Sequence, residues 1–174
     1  KALLNVKGYP RAVDMKWSKM LTNLVGNATS AILDMSPAEI FARSDLYAFE
    51  MAMLREALRV MDAQEINVVN LPGTPVKLLA FAAKGPTWLR PLAAKKLGGG
   101  RGGKMPSFHI DLHSGRGKSE VDYLNGAVVR AGKKTHVATP LNRQLTETLL
   151  AMTRNEISIE SYAKKPKKML AWHN

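Results

Sequence analysis

The chain has 174 residues, a length suited to one domain with a sizeable core, and 45% of them are hydrophobic, which excludes a wholly disordered polymer. It contains no run of about 18 apolar residues, so no transmembrane helix and no membrane partner are expected. Its net charge of +12 favours an anionic partner, and the absence of cysteine excludes disulfides and thiolate metal sites.

The opening "KALLNVKG" has neither an initiator Met nor a signal-peptide pattern and reads as a chain cut from something longer. The lack of cysteine suits a cytoplasmic protein. The first helix is expected from about Asp14 to Leu33. "SPAE" at 36–39 has the form of a capping box, with Ser36 as N-cap, Pro37 at the first helical position and Glu39 reaching back. A long helix should follow from Ser44 to Ala63, with Leu46, Phe49, Met53, Leu54, Ala57 and Met61 on its apolar face. "INVVN" at 66–70 is the best strand signal in the chain, and it is weak. "LPGTP" at 71–75 is a turn that opens a helix to about Ala83, which Gly85-Pro86 stops. A short helix over Trp88–Leu97 and a glycine-rich connector over 98–104 come next. Ser107 to His113 reads as a short helix that begins with a free hydroxyl, and Ser114–Lys118 as a loop. Another helix is expected from Glu120 to Ala131, with Gly132 as its C-cap. Thr139-Pro140 opens the last long helix, to about Arg154. "KKPKK" at 164–168 then marks a solvated basic tail over 163–174. The whole is all-α: a single-domain multi-helix bundle over residues 1–174, with no internal repeat.

Three signals bear on chemistry. "GGGRGG" places Gly98, Gly100 and Gly103 in a G-x-G-x-x-G string, but no strand precedes it and no helix packs after it, so linker glycine is the better reading. "HIDLH" puts His109 and His113 at i and i+4, a spacing that can hold zinc. The glutamate of H-E-x-x-H is absent and no third ligand is obvious, so no metal is assigned and the pair is read as polar residues on a half-exposed helix. His136 and His173, in a loop and a tail, suggest no site.

The third signal is a polar stripe. At about 100° per residue, Lys16, Lys19, Asn23, Asn27 and Ser30 fall within an arc of about 80°. Trp17, Met20, Leu21, Leu24, Val25, Ala28 and Ile32 cover most of the other faces, so this helix is expected to be central. Asn costs about 0.5–0.7 kcal/mol against Ala within a helix, so short amides need a reason to be there. Either a ligand approaches a polar cleft beside Gly26, or the amides bridge neighbouring helices. Glu120 poses a similar choice. It serves the dipole of the helix it opens, or it forms part of an acid–base pair with a lysine.

Two segments, "KWSKMLTNLVGNATSAI" and "PSFHIDLHSGRGKSEVDYLNGAVVRAGKKTHVATPLNRQL", together resemble the C-terminal domain of the ketopantoate reductase (2-dehydropantoate 2-reductase) family. The W-x-K-x-x-x-N-x-x-x-N, Ser-Met/Leu-x-x-D, T/S-E-[IV]-D-x-x-N-G and T-P-x-N segments of that family have counterparts here in order, the second with Phe108 in place of Met or Leu. The resemblance implies a helical substrate domain of the 6-phosphogluconate dehydrogenase C-terminal-like type. It implies a partner, an N-terminal Rossmann domain that binds NADPH and is missing from this chain, and a 2-keto acid substrate held between the two. It also implies an NADPH-dependent oxidoreductase of pantothenate biosynthesis that is inactive as the isolated fragment. The catalytic lysine of the family falls on Lys19 and its glutamate on Glu120. The substrate-binding amides fall on Asn23 and Asn27, and the substrate-binding serine on Ser107. No cofactor-binding residue is assigned within this chain.

Several departures bear on the substrate. "MSPAEI" stands where the family often has Asn-Gly, with Pro37 near that position. The interval from Ser107 to Glu120 is one residue longer than in typical members, and the segment from "LPGTP" to "KMPS" is longer and more basic. A different keto acid is therefore the alternative. A basic nucleic-acid-binding module is the other reading, but it calls for charge clustered on one face, and here the charge is scattered, so no nucleic acid is expected. The sequence leaves open a homodimer.

Overall fold

The computed structural model describes residues 8–85, 104–115 and 117–173. Its first helix, α1 (Ala12–Leu24), stops where a longer helix was expected. Gly26 adopts φ 64°, and α2 (Asn27–Leu33) restarts from it. A Cβ on Gly26 would come no nearer than 3.5 Å to Phe41, so the left-handed backbone rather than crowding is what calls for glycine. The break separates two different helices. Only Asp14, Ser18, Leu21 and Leu24 of α1 are buried, whereas every residue of α2 is. The helix expected to be central is thus half-exposed over its lysines and central only in its second part.

The capping box forms as expected. Ser36 Oγ accepts from Glu39 N–H, and Glu39 Oε2 accepts from Ser36 N–H at 2.7 Å, opening α3 (Pro37–Ala42). Bonds from the Ser36 N–H and hydroxyl, and then from the Lys164 ammonium, hold the Glu39 carboxyl below its ordinary value of 4.5. A depressed folded-state value gives stability that is present above the ordinary carboxylate range and lost as pH falls through the lowered value. Ser36→Ala should therefore cost about 1 kcal/mol at neutral pH. It should also flatten the acid limb of stability below that ordinary carboxylate value. Urea unfolding at a series of pH values reads both effects.

The centre of the molecule is α4 (Ser44–Ala63), buried on several faces by Leu46, Phe49, Met53, Leu54, Ala57, Leu58, Val60 and Met61. A helix that is apolar nearly all round belongs inside. Two carboxylates share its interior, Glu50 at 0% and Glu56 at 2% exposure, and both serve other helices. Glu50 Oε2 accepts from Gly26 N–H at 2.8 Å, and its other oxygen accepts from the Thr29 hydroxyl, so α4 fixes the break between α1 and α2.

After α4, residues 66–70 form no regular element and, among the described residues, pair with no strand. Asn67 N–H donates to Asp14 Oδ1 at 3.1 Å and Val69 N–H to Ser18 Oγ at 2.9 Å. Polar side chains of α1 thus take the donors that a sheet partner would have taken. An isolated bridge, Leu71 to Thr74, closes the following turn before α5 (Val76–Lys84). The expected helix over Trp88–Leu97 and most of the glycine-rich connector, with Gly98, Gly100 and Gly103, lie outside the described residues.

The second half contributes α6 (Ser107–His113), α7 (Val121–Thr135) and α8 (Pro140–Thr153). Gly132 is not the C-cap of α7. The helix continues to Thr135, and His136 turns it with φ 56°. A Cβ on Gly132 would lie 2.7 Å from Val137 O and 2.8 Å from Thr139 Cγ2, so glycine there admits the returning chain. The segment expected as a solvated tail also folds. After a 3-10 turn at Ile159–Ser161, α9 (Pro166–Leu170) and a last 3-10 turn follow. Met169 is fully buried, Lys164 N–H donates to Leu33 O at 2.7 Å, and the Trp172 ring packs 6.4 Å from that of Phe49. The lysines remain outside while apolar residues between them anchor the segment. Among the described residues the protein is all-α, a bundle without strands.

Candidate functional site

Three elements converge beside the helix break: the last turns of α1, the start of α2 and the start of α6, with α2 packed along α6. Asn27, the first residue of α2, is 4% exposed. Its Oδ1 accepts from Phe108 N–H at 3.1 Å, and its Nδ2 donates to Asn23 O at 3.2 Å and to Ser107 Oγ at 3.4 Å. The amide therefore satisfies a free N–H at the N-terminus of α6 and sets the Ser107 hydroxyl at the surface. Of the two readings of the amide stripe, a bridge between helices holds for Asn27. Asn23 is half-buried one turn earlier, and Lys19 is exposed one turn before that.

Ser30, the last residue of the stripe, is fully buried and its hydroxyl has no hydrogen-bond partner, so the stripe enters the core rather than continuing as a groove. Glu120 is exposed and is the N-cap residue of α7, which packs against α1. Among the described residues neither Lys19 nor Glu120 forms an ion pair. The structure thus joins Asn23, Asn27 and Ser107 by hydrogen bonds, and it places Lys19 and Glu120 on two helices that touch.

The motif asparagines of the second half are deeply buried. Asn125 and Asn142 are both 0% exposed. Asn125 Nδ2 donates to Asn142 Oδ1 at 3.1 Å, and Asn142 Nδ2 donates to Glu56 Oε2 at 2.8 Å and to Met53 O at 3.0 Å. Glu56 also accepts from the backbone N–H groups of Leu141 and Asn142 at 2.9 and 3.0 Å. A carboxylate of α4 thereby caps α8, whose own Thr139 side chain makes no capping bond.

A family profile described as "Ketopantoate reductase PanE/ApbA C terminal" matches residues 12–153, and this span contains α1 to α8 and every residue of the convergence just described. The chain belongs to the ketopantoate reductase family. A 2-dehydropantoate 2-reductase of Streptococcus pyogenes serotype M6 is 28% identical over 153 residues, which is 87% of this chain and 44% of that protein. The chain therefore spans less than half the length of the curated relatives it matches. A PanE/ApbA family ketopantoate reductase of Ralstonia eutropha superposes with TM-score 0.69 at 21% identity, over 89% of this chain and 46% of the other, a likeness of fold. A D-mandelate dehydrogenase solved with NADH and anilino(oxo)acetate superposes with TM-score 0.67 at 25% identity, over 87% and 44%.

Within this ketopantoate reductase C-terminal domain, sequence reasoning missed Glu50 and Glu56. The signal was present. Glu50 lies four residues after Leu46 and Glu56 seven after Phe49, so both sit on the apolar stripe of α4, where a carboxylate needs a partner. It also missed Asp34, which the fold brings against His109.

Proposed function

We propose that this chain is the substrate-binding and proton-donating half of an NADPH-dependent reductase of 2-keto acids, with 2-dehydropantoate as substrate, working in the cytoplasm with an N-terminal Rossmann domain. The observation that carries this reading is the Asn27 bridge. It fixes the Ser107 hydroxyl beside the α1 turn bearing Asn23 and Lys19, inside the span that matches the family profile.

Among the described residues there is no strand–turn–helix unit to cradle a pyrophosphate, so the cofactor is assigned to the other domain. When bound there, the reduced nicotinamide supplies hydride to the ketone carbon. The residues of this chain handle the oxygen and the orientation. As hydride arrives, the carbonyl oxygen becomes an alkoxide; the Lys19 ammonium stabilises that charge and gives it a proton. Asn23 and Ser107 hold the substrate with neutral donors. Asn27 is a positioning residue whose polar atoms are already spent on α6 and α1. Glu120, at the start of α7, orients the Lys19 ammonium or the product hydroxyl once the cleft closes.

A second reading is an aromatic 2-keto acid reduced with NADH. The structural likeness to the D-mandelate dehydrogenase favours it.

The test is oxidation of NADPH and of NADH by the full-length protein, with 2-dehydropantoate and with benzoylformate. The first reading expects kcat/KM at least about 100-fold higher for 2-dehydropantoate with NADPH. The reverse preference establishes the second, and no turnover of either acid ends both. On the preferred acid, Ser107→Ala should raise KM by about 10-fold with kcat little changed, as expected for a contact made equally in ground and transition states.

A further inference from the structure

The two histidines left without a third ligand in the sequence acquire one in the fold. His109 Nε2 lies 2.8 Å from Asp34 Oδ1, and the His113 ring stacks on that of His109 with centroids 4.0 Å apart. One donor atom from each of Asp34, His109 and His113 lies within 4.8 Å of the other two. We propose that Asp34, His109 and His113 form a binding site for a divalent transition-metal ion of the zinc class, a site separate from the substrate cleft.

The placement rests on rigid parts. Asp34 is the C-cap of α2, held at φ 49° with its N–H on Ser30 O, and α2 is buried throughout. The opposite ligands sit one turn apart on α6, whose inner face is anchored by buried Phe108 and Leu112. A tetrahedral ion with bonds of about 2.0–2.2 Å needs donors about 3.4 Å apart. The present spread, from 2.8 Å to within 4.8 Å, closes onto that figure by side-chain rotation. Two imidazoles and one carboxylate suit zinc, cobalt, nickel or copper rather than magnesium or calcium, which prefer all-oxygen shells.

His113 is exposed, so the fourth position on the ion is open to solvent water. Lys164, whose backbone meets Leu33, directs its ammonium to Glu39 at 3.2 Å. The Lys165 ammonium donates to Glu160 O at 2.6 Å, and the Glu160 carboxylate accepts from the Ser158 hydroxyl. An ion here ties the far end of α6 to α2, the pair of helices that Asn27 ties at the Ser107 end. It therefore stiffens the helix that presents Ser107 without touching substrate.

The experiment uses the full-length protein without a histidine tag, stripped with chelator, and titrated with Zn2+ by calorimetry and with Co2+ by visible absorption. Expected are one saturable Zn2+ site of micromolar dissociation constant or tighter and an intense visible band for Co2+. A rise in melting temperature with Zn2+ should accompany them. His113→Ala and Asp34→Asn should each weaken Zn2+ binding by at least about 10-fold and remove the melting shift. His113 is exposed, so its replacement leaves packing intact, which circular dichroism verifies. His136→Asn should bind as the parent does. No saturable Zn2+ binding overturns the site, and so does undiminished binding in both variants. Neither result depends on reductase turnover, so this test and that of the catalytic reading fail separately.

Discussion

Lys19→Ala in the full-length protein should lower kcat by about 10²–10⁴-fold while leaving affinity for the reduced nicotinamide within a few-fold of the parent. The ammonium meets charge that exists only as the carbonyl oxygen becomes an alkoxide, so its loss falls on the transition state and not on cofactor binding. Its position on an exposed turn of α1, with no ion-pair partner among the described residues, means that the substitution removes no packing or salt bridge, and the fold should be unaffected. The control is Lys16→Ala. Lys16 is exposed on the same helix but lies off the family motif, and its loss should change turnover by no more than a few-fold. Steady-state kinetics with a separate cofactor titration measures all of this. Equal effects at Lys16 and Lys19 would show the stripe to be only a basic surface. Glu120→Gln should lower kcat and raise KM together if the carboxylate orients both the lysine and the substrate.

Glu56→Ala should destabilise the fold by about 3–5 kcal/mol, the largest stability effect expected of a single side chain here. At 2% exposure, this carboxylate accepts from Leu141 N–H, Asn142 N–H and Asn142 Nδ2. Truncation leaves the first turn of α8 with orphaned donors far from water, and it also releases the Asn142 amide that Asn125 bonds. Glu56→Gln keeps the shape and one acceptor oxygen, so it should cost about half as much. Urea unfolding with an unchanged slope is the measurement. A loss below about 1 kcal/mol for Glu56→Ala would mean that the cap is not holding α8.

The local elements could be read from the sequence because their causes are local. The Ser36–Glu39 capping box, the span of α4 and the start of α8 at Pro140 each follow from residues within a few positions of the feature they set. The motif order also pointed to the family, and the profile match over 12–153 agrees. Tertiary structure decided the remainder. Asp14 to Leu33 has the periodicity of one helix; Gly26 permits a left-handed break, and the distant Glu50 carboxylate, accepting from Gly26 N–H, holds it there. "INVVN" forms no strand among the described residues, and Asp14 and Ser18 of α1 take two of its donors. The basic tail carries the composition of a solvated segment, yet Met169 and Trp172 find the core because Lys164 N–H reaches Leu33 O. Of the candidate site, spacing supplied only the stripe of Lys19, Asn23 and Asn27 and a first-turn Glu120; Ser107 as a substrate contact, and every role, came from the family resemblance. Only the packing of α2 on α6 showed that Asn27 is consumed in holding Ser107, and that Asp34 meets His109 from 75 residues away. Spacing along a chain fixes which residues share a helix face. Which faces then meet depends on the burial of all of them together, and that is a property of the whole fold.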